Sequence, residues 1–163
     1  MARVLVVACG GRGRALAASL AAVGHAVRGT TREPARLAAV AESGTEPVVA
    51  DPDRLSTLTP HLDGVSVVCW LMGGAIGEPD LIAALHGPRL QSLLAKLVDT
   101  PVRGFVYEAA GTVPGRLLEQ GSALVQAAGA RHHMPVAVVR EDPARRERWL
   151  AAMTNAVGDV LAR

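Results

Sequence analysis

The amino end of the chain joins an apolar strand to a helix through a glycine-rich turn, and few folds accommodate such a junction. Arg3 to Ala8 is a leucine and β-branched run that reads as a buried strand. Gly10, Gly11 and Gly13 form the turn, and Arg14 to Val23 has helical apolar spacing. A strand that runs straight into a helix in this way opens a βαβ unit. The glycines let the backbone approach a ligand closely, and the N–H groups at the start of the helix face negative charge. That geometry suits the pyrophosphate of a dinucleotide. Aligned on the helix start, the loop is A-x-G-x-x-G, with Ala8 standing where G-x-G-x-x-G has its first glycine and Gly11 as an extra. The alternative is a tight strand–helix turn that holds no ligand.

The rest of the chain alternates between the same two periods. Strands are expected at about 3–8, 26–30, 47–50, 65–71, 104–109 and 135–139, and helices at about 13–23, 34–43, 53–61, 80–97, 115–130 and 143–161. Such alternation implies right-handed βαβ units and a parallel sheet of about six strands with helices on both faces, an α/β fold. With 163 residues, the chain is expected to form a single domain, residues 1–163. Only Trp70, Phe105, Tyr107 and Trp149 are aromatic, so the core must be mostly alanine, valine and leucine. Several boundaries carry their own punctuation. Gly24 caps the first helix, Pro34 begins the second, and Asp51-Pro52-Asp53 opens the third. Gly87-Pro88 splits the fourth helical region, and Asp142-Pro143 is an N-cap and first-position pair for the last helix. In that helix Trp149, Met153, Ala156 and Val160 form one apolar face. Met72 to Gly77 is a glycine-rich interruption.

Charge and composition exclude several classes. The net charge is +2, and Lys96 is the only lysine among the basic residues. The arginines reflect either overall composition or bidentate grip on phosphate. No basic block or basic–aromatic alternation points to nucleic acid. No apolar run reaches the roughly 18 residues needed to span a membrane, and no signal peptide is expected before the first strand. Cys9 and Cys69 are too few for a disulfide framework. A soluble cytoplasmic protein is the expectation.

The end of the second strand discriminates between dinucleotides. Sites for NAD place an acidic residue there, against the ribose hydroxyls. This chain has Arg28, Gly29, Thr30, Thr31 and Arg32, with no acid at the tip. An arginine beside a hydroxyl would hold a 2′-phosphate instead, which favours NADP over NAD. Arg32 is the foremost candidate, with Arg12 and Thr31 as helpers, while Glu33 reads as a capping or dipole residue of the next helix. Asp51 either caps the helix after Pro52, lies beside the adenine edge, or does both.

Four segments together, C-G-G-R-G-R-A-L-A, R-G-T-T-R-E-P-A-R-L, V-V-A-D-P-D-R-L and R-G-F-V-Y-E-A-A-G, resemble the extended and atypical short-chain dehydrogenase/reductases. The nearest group is the NAD(P)-dependent epimerase/dehydratase and NmrA-like one, over approximately residues 3–140. The resemblance implies a Rossmann-type doubly wound sheet in the order 3-2-1-4-5-6, with NAD(P) across the carboxyl ends of strands one and four. It places Gly10, Gly11, Arg12 and Gly13 at the pyrophosphate and Arg32 at the adenosine ribose phosphate. Asp51 and Pro52 would flank adenine, and Leu71, Met72 and Gly73 would line the ribose and nicotinamide side. A homodimer is the family's common habit. The departures are as informative. The family's tyrosine and lysine, four residues apart on the helix after strand five, have no counterpart between Gly115 and Gly129, and its serine is replaced by Ala109-Ala110. The only tyrosine, Tyr107, lies inside strand five. With one helix after strand six, the carboxyl-terminal substrate lobe of extended members is expected to be reduced or absent.

Other candidates for chemistry are Glu108, Tyr107, Thr112 and His86, polar residues expected near the carboxyl edge of the sheet. Glu108 is either an acid or base in a partly buried position, or a surface or helix-dipole partner. His132-His133 lies at the opposite edge with no third ligand near it, so no metal site is expected. Cys9 and Cys69 stand on neighbouring strands, as a redox-responsive pair or as inert buried thiols; Trp70 reads as core or as a ring beside the nicotinamide. Three functions stay open: an NADP-dependent oxidoreductase of atypical short-chain type acting on a small organic substrate, a non-catalytic NADP-responsive module, and a structural domain that binds no nucleotide.

Overall fold

Six short parallel strands build one sheet in the order β3-β2-β1-β4-β5-β6. The computed structural model describes residues 1–163. The strands are β1 (Arg3–Val7), β2 (Ala26–Thr31), β3 (Glu46–Val49), β4 (Val67–Trp70), β5 (Gly104–Glu108) and β6 (Val136–Val139). The helices are α1 (Gly11–Ala22), α2 (Leu37–Glu42), α3 (Leu55–Leu58), α4 (Pro79–Leu85), α5 (Pro88–Leu97), α6 (Gly115–His132) and α7 (Arg146–Ala162). This is the Rossmann-like α/β arrangement. The order reverses between β1 and β4, whose register pairs Val4 with Val67 and Val7 with Trp70. No helix is long and apolar enough to cross a membrane.

The alternation of side chains along each strand feeds two apolar layers of similar size. Leu5, Val7, Val68, Trp70, Phe105 and Tyr107 point to the side covered by α3 to α6. Val4, Val6, Val67, Cys69 and Val106 point to the side covered by α1, α2 and α7. A sheet covered on both faces can use continuous apolar strands, and β4 and β5 are buried at every residue. Small side chains let the helices lie close. Gly104 faces Val160 of α7, and a Cβ at Gly121 of α6 would collide with the Tyr107 hydroxyl.

The expected elements are all present, but several boundaries move. The second helix begins as a 3₁₀ turn (Pro34–Arg36) before α2, and α3 is a single turn continued by a second 3₁₀ segment (Thr59–Leu62). Val23 occupies the C-cap of α1, with Gly24 just beyond it at φ +97°. Asp51 does not cap α3, and Asp142-Pro143 does not begin α7. In both places the aspartate closes a local turn, accepting the N–H two residues on at 3.0 Å for Asp51 and 2.9 Å for Asp142. With the carboxylate used there, α3 starts at Leu55 and α7 at Arg146, neither with a side-chain cap.

Candidate functional site

The carboxyl ends of β1, β2, β3 and β4 open onto a cleft of about 450 Å³. That lies within the roughly 300–1,000 Å³ of typical small-molecule sites. It sits at the point where the strand order reverses, the usual ligand position in open parallel sheets. Of the residues expected at a dinucleotide, Gly10, Gly11, Arg12, Gly13, Thr31, Arg32, Asp51, Pro52, Leu71 and Met72 all line it. Gly73 does not; its neighbour Gly74 does.

The loop after β1 is shaped by backbone constraints. Ala8 adopts φ +69°, the left-handed conformation for which a glycine is the easier choice. Its N–H donates to Thr30 Oγ1 at 3.0 Å, and the Cys9 N–H donates to the Thr30 carbonyl at 2.8 Å, tying the turn to β2. Gly13 packs so tightly under the turn that a Cβ would lie 2.7 Å from the Ala8 carbonyl oxygen. Gly10 and Gly11 face open space instead. No side chain caps α1, and its first turn carries no acid. Its leading N–H groups therefore point outward unpartnered, with the positive end of the helix dipole behind them. These donors and the missing Cβ atoms fit an anionic phosphate group brought against the backbone.

Arginines at the β2 tip behave differently from one another. Arg32 is exposed, lines the cleft and has no partner within the chain. Arg36 also lines it but pairs with Glu33 at 2.9 Å. Arg28 turns the other way, to Glu46 at 2.9 Å and to the carbonyls of His61 and Asp63. Thr31 is nearly buried, and its hydroxyl accepts the Glu33 N–H at 3.2 Å. The cleft is completed by an apolar wall that the sequence reading did not name: Ala75, Ile76, Leu81 and Leu85, with Ile76 89% exposed. The glycines around Ala75-Ile76 were legible as an interruption, but nothing in their spacing indicated which side would face the cleft.

At the end of β5 the polar candidates are engaged with one another. Glu108 is fully buried, so it is not a surface residue. It accepts Arg12 Nη2 at 2.6 Å and Nε at 2.8 Å, and the Gly73 N–H at 2.9 Å. The Arg12 guanidinium, expected at the pyrophosphate, is thus committed to a carboxylate, and its other face lies 5.9 Å from the centre of the Trp149 ring. The hydrogen bonds to Glu108 hold Arg12 even more firmly protonated than usual, with burial opposing them. The Trp149 indole N–H is itself buried without a partner.

His86 and Tyr107 are both fully buried. His86 Nε2 lies 2.9 Å from the Met72 carbonyl, to which it can only donate, so Nδ1 accepts the Tyr107 hydroxyl at 2.6 Å. Burial pushes the His86 pKa down, against the hydrogen bond to Met72 and the charge of Glu108. Burial pushes the Tyr107 phenol up, assisted by the charges of Glu108 and Glu119. A neutral histidine and a protonated phenol result. Thr112 is exposed. Trp70 is core, its indole N–H donating to the Leu85 carbonyl at 3.1 Å.

Cys9 and Cys69 are free and buried. Cys9 packs against Gly29 of β2, while Cys69 stands opposite Val6 on β1. Burial raises the Cys9 thiol to about 11 against the nearby charge of Arg14, and it raises the Cys69 thiol to about 12.

Sequence comparison adds to this geometry. Residues 8–113 match the model of the family described as NAD(P)H-binding. The chain belongs to that family. The matched span begins at the glycine turn and ends just after the β5 loop, so it contains the whole cleft. No curated protein matches the chain. Among solved structures, it resembles a protein from Bacillus halodurans assigned as an NAD-dependent epimerase/dehydratase, with TM-score 0.72 and 18% identity over 87% of this chain and 71% of that one. It also resembles an assigned short-chain dehydrogenase/reductase family oxidoreductase from Aeromonas hydrophila, with TM-score 0.70 and 16% identity over 96% and 91% of the two chains. A third is the triphenylmethane reductase of Citrobacter sp. solved with NADP(H), with TM-score 0.63 and 16% identity. That match covers 85% of this chain and 49% of the reductase, so this chain spans about half the reductase's length. At such identities the likeness is one of fold. NAD(P) binding follows from the family.

Proposed function

We propose that this protein binds NADP(H) in preference to NAD(H) and is an oxidoreductase of the atypical short-chain type, acting on a small organic substrate. The observation that carries the reading is an unpartnered arginine, Arg32, on the same cleft as an uncapped helix start. Gly10, Gly11 and Gly13 would hold the pyrophosphate through backbone N–H groups, and Arg32 with Thr31 the 2′-phosphate. Asp51 and Pro52 would flank adenine, with Leu71 and Met72 lining the same cleft. A bound dinucleotide would supply the hydride chemistry. No tyrosine or lysine lies in α6, so a proton for the substrate would come from solvent or from the substrate itself.

Thermal unfolding with NADP, NADPH, NAD and FAD tests the reading. Ligand bound at 100 times its Kd stabilises the fold by about 2.7 kcal/mol, enough to order the four ligands. A larger shift with NADP(H) than with NAD is expected, and no shift with any of them would defeat it. Oxidation of NADPH across carbonyl, quinone and flavin acceptors then tests the chemistry.

A second reading is a non-catalytic NADP(H)-responsive module, with nucleotide occupancy changing a homodimer or partner equilibrium. One observation favours it: Glu108, Tyr107 and His86 all spend their polar atoms on internal hydrogen bonds. Sedimentation with and without NADPH distinguishes it, and an unchanged distribution of oligomers removes it.

A further inference from the structure

The cleft stops at β4. Its walls come from the turn after β1, the tips of β2 and β3, and the segment from Leu71 to Leu85. No residue of β5, β6 or the loops that follow them contributes. A dinucleotide laid across a sheet of this order has one mononucleotide half on each side of the switch point. Here the open part runs from the tips of β2 and β3 to the loop after β4 and goes no further toward β5.

The other side is filled by protein. The Arg12 guanidinium crosses from the glycine turn to Glu108 at the end of β5 and lies so close to Gly74 that a Cβ there would be 3.0 Å from Nη2. The loops after β4 and β5 are pressed backbone to backbone. An added Cβ at Gly73 would collide with the Ala110 carbonyl oxygen, and one at Gly111 would collide with the Gly73 carbonyl oxygen. The Val113 N–H donates to that Gly73 carbonyl at 3.0 Å, and the Gly73 N–H donates to Glu108 at 2.9 Å. Opening the edge would strand a fully buried carboxylate.

We propose that the site receives the adenosine 2′,5′-bisphosphate half of NADP(H) and leaves the nicotinamide half in solvent, with the Arg12–Glu108 pair holding the β4–β5 edge shut. The proposal rests on the NADP(H) reading of the cleft. It makes the ligand class any adenosine 2′-phosphate 5′-phosphate, of which NADP(H) is one.

Calorimetric titration with adenosine 2′,5′-bisphosphate, NADPH and nicotinamide mononucleotide tests it. The bisphosphate and NADPH are expected to bind within threefold of each other, and the mononucleotide not to bind. NADPH binding tenfold or more tightly than the bisphosphate would overturn the proposal while keeping the NADP(H) reading. Binding of neither would sink that reading itself. Saturation-transfer NMR of bound NADP gives a second readout, with strong transfer to the adenine protons and weak transfer to the nicotinamide protons expected; equal transfer would count against an exposed nicotinamide. In Glu108→Gln, which removes the charge that holds Arg12, NADPH is expected to tighten at least threefold relative to the bisphosphate. An unchanged ratio would remove the pair from its assigned role, and the wild-type titration and NMR decide the rest should that variant not fold.

Discussion

Arg12 and Glu108 are 96 positions apart in sequence and meet in a bidentate ion pair at 2.6 and 2.8 Å. The pair joins the start of α1 to the end of β5 and so spans the switch point of the sheet. Arg12→Met would leave Glu108 buried with only the Gly73 N–H, and should cost about 3 kcal/mol. Adding Glu108→Leu should recover much of that loss, because no charge is then left in the core. Urea unfolding of both single variants and the double variant measures the coupling; additive losses would show that the pair does not act as one unit.

Arg32 makes no bond within the chain, so its replacement should be nearly neutral for folding, within about 0.5 kcal/mol. Arg32→Glu should weaken NADP(H) by tenfold or more, about 1.4 kcal/mol. NAD(H) should lose far less, because it has no 2′-phosphate. Equal losses for the two dinucleotides, measured by titration, would refute the assigned role.

Ala8 holds the left-handed conformation at φ +69°. Ala8→Gly removes a penalty of roughly 1–2 kcal/mol for that conformation. Glycine's freer unfolded chain returns part of it, so a net gain of about 1 kcal/mol is expected. Gly13→Ala should act oppositely, since the Ala8 carbonyl is only 2.7 Å from the added Cβ, and forcing atoms into a packed site costs roughly 1–3 kcal/mol. Thermal unfolding of the two variants checks both signs.

Burial lowers the pKa of His86, and burial together with the amino terminus lowers that of His25. The unfolded chain binds these protons first, near its ordinary histidine value of 6.5. Their contribution is therefore fully present above that pH, declines as pH falls below it, and is gone once pH passes the folded-state values. Each histidine can contribute a slope of at most about 1.4 kcal/mol per pH unit. His86→Gln should flatten the unfolding free energy over this window. A slope unchanged by that substitution would place the titration elsewhere.

Both thiols are buried and shifted upward, so almost no thiolate exists near neutral pH. A disulfide-exchange reagent should label neither Cys9 nor Cys69 in the folded protein and both after unfolding. Rapid labelling of the folded chain would reopen a redox role.

The strand–helix alternation and the glycine loop were legible because their signals are local, while the sheet order came from the family resemblance. The glycine turn, the β-branched runs and the arginine at the β2 tip each declare themselves within a few residues. The Arg12–Glu108 pair was not legible, since no short-range pattern links a loop arginine to a carboxylate at the end of the fifth strand. Arg12 read as a phosphate ligand from its loop, and only the fold reveals that its guanidinium, at the edge of the cleft, also pairs with Glu108. Asp142-Pro143 misled for a related reason: aspartate serves a two-residue turn as readily as a helix cap, and the choice depends on where the chain must go next.

Gly121 gives the outer helix α6 a fixed index against the sheet. It is the notch into which the Tyr107 hydroxyl fits, and one turn away in either direction stand Leu117 and Val125, both buried on the same face. A slide of α6 by a single turn would set a leucine or a valine where the phenol needs a gap. The phenol in turn is tied through His86 to the Met72 carbonyl, beside the cleft. The helix is thus keyed to the floor of the cleft like a ratchet held by one tooth, and Gly121→Ala would unseat that tooth from a helix that contributes no residue to the cleft.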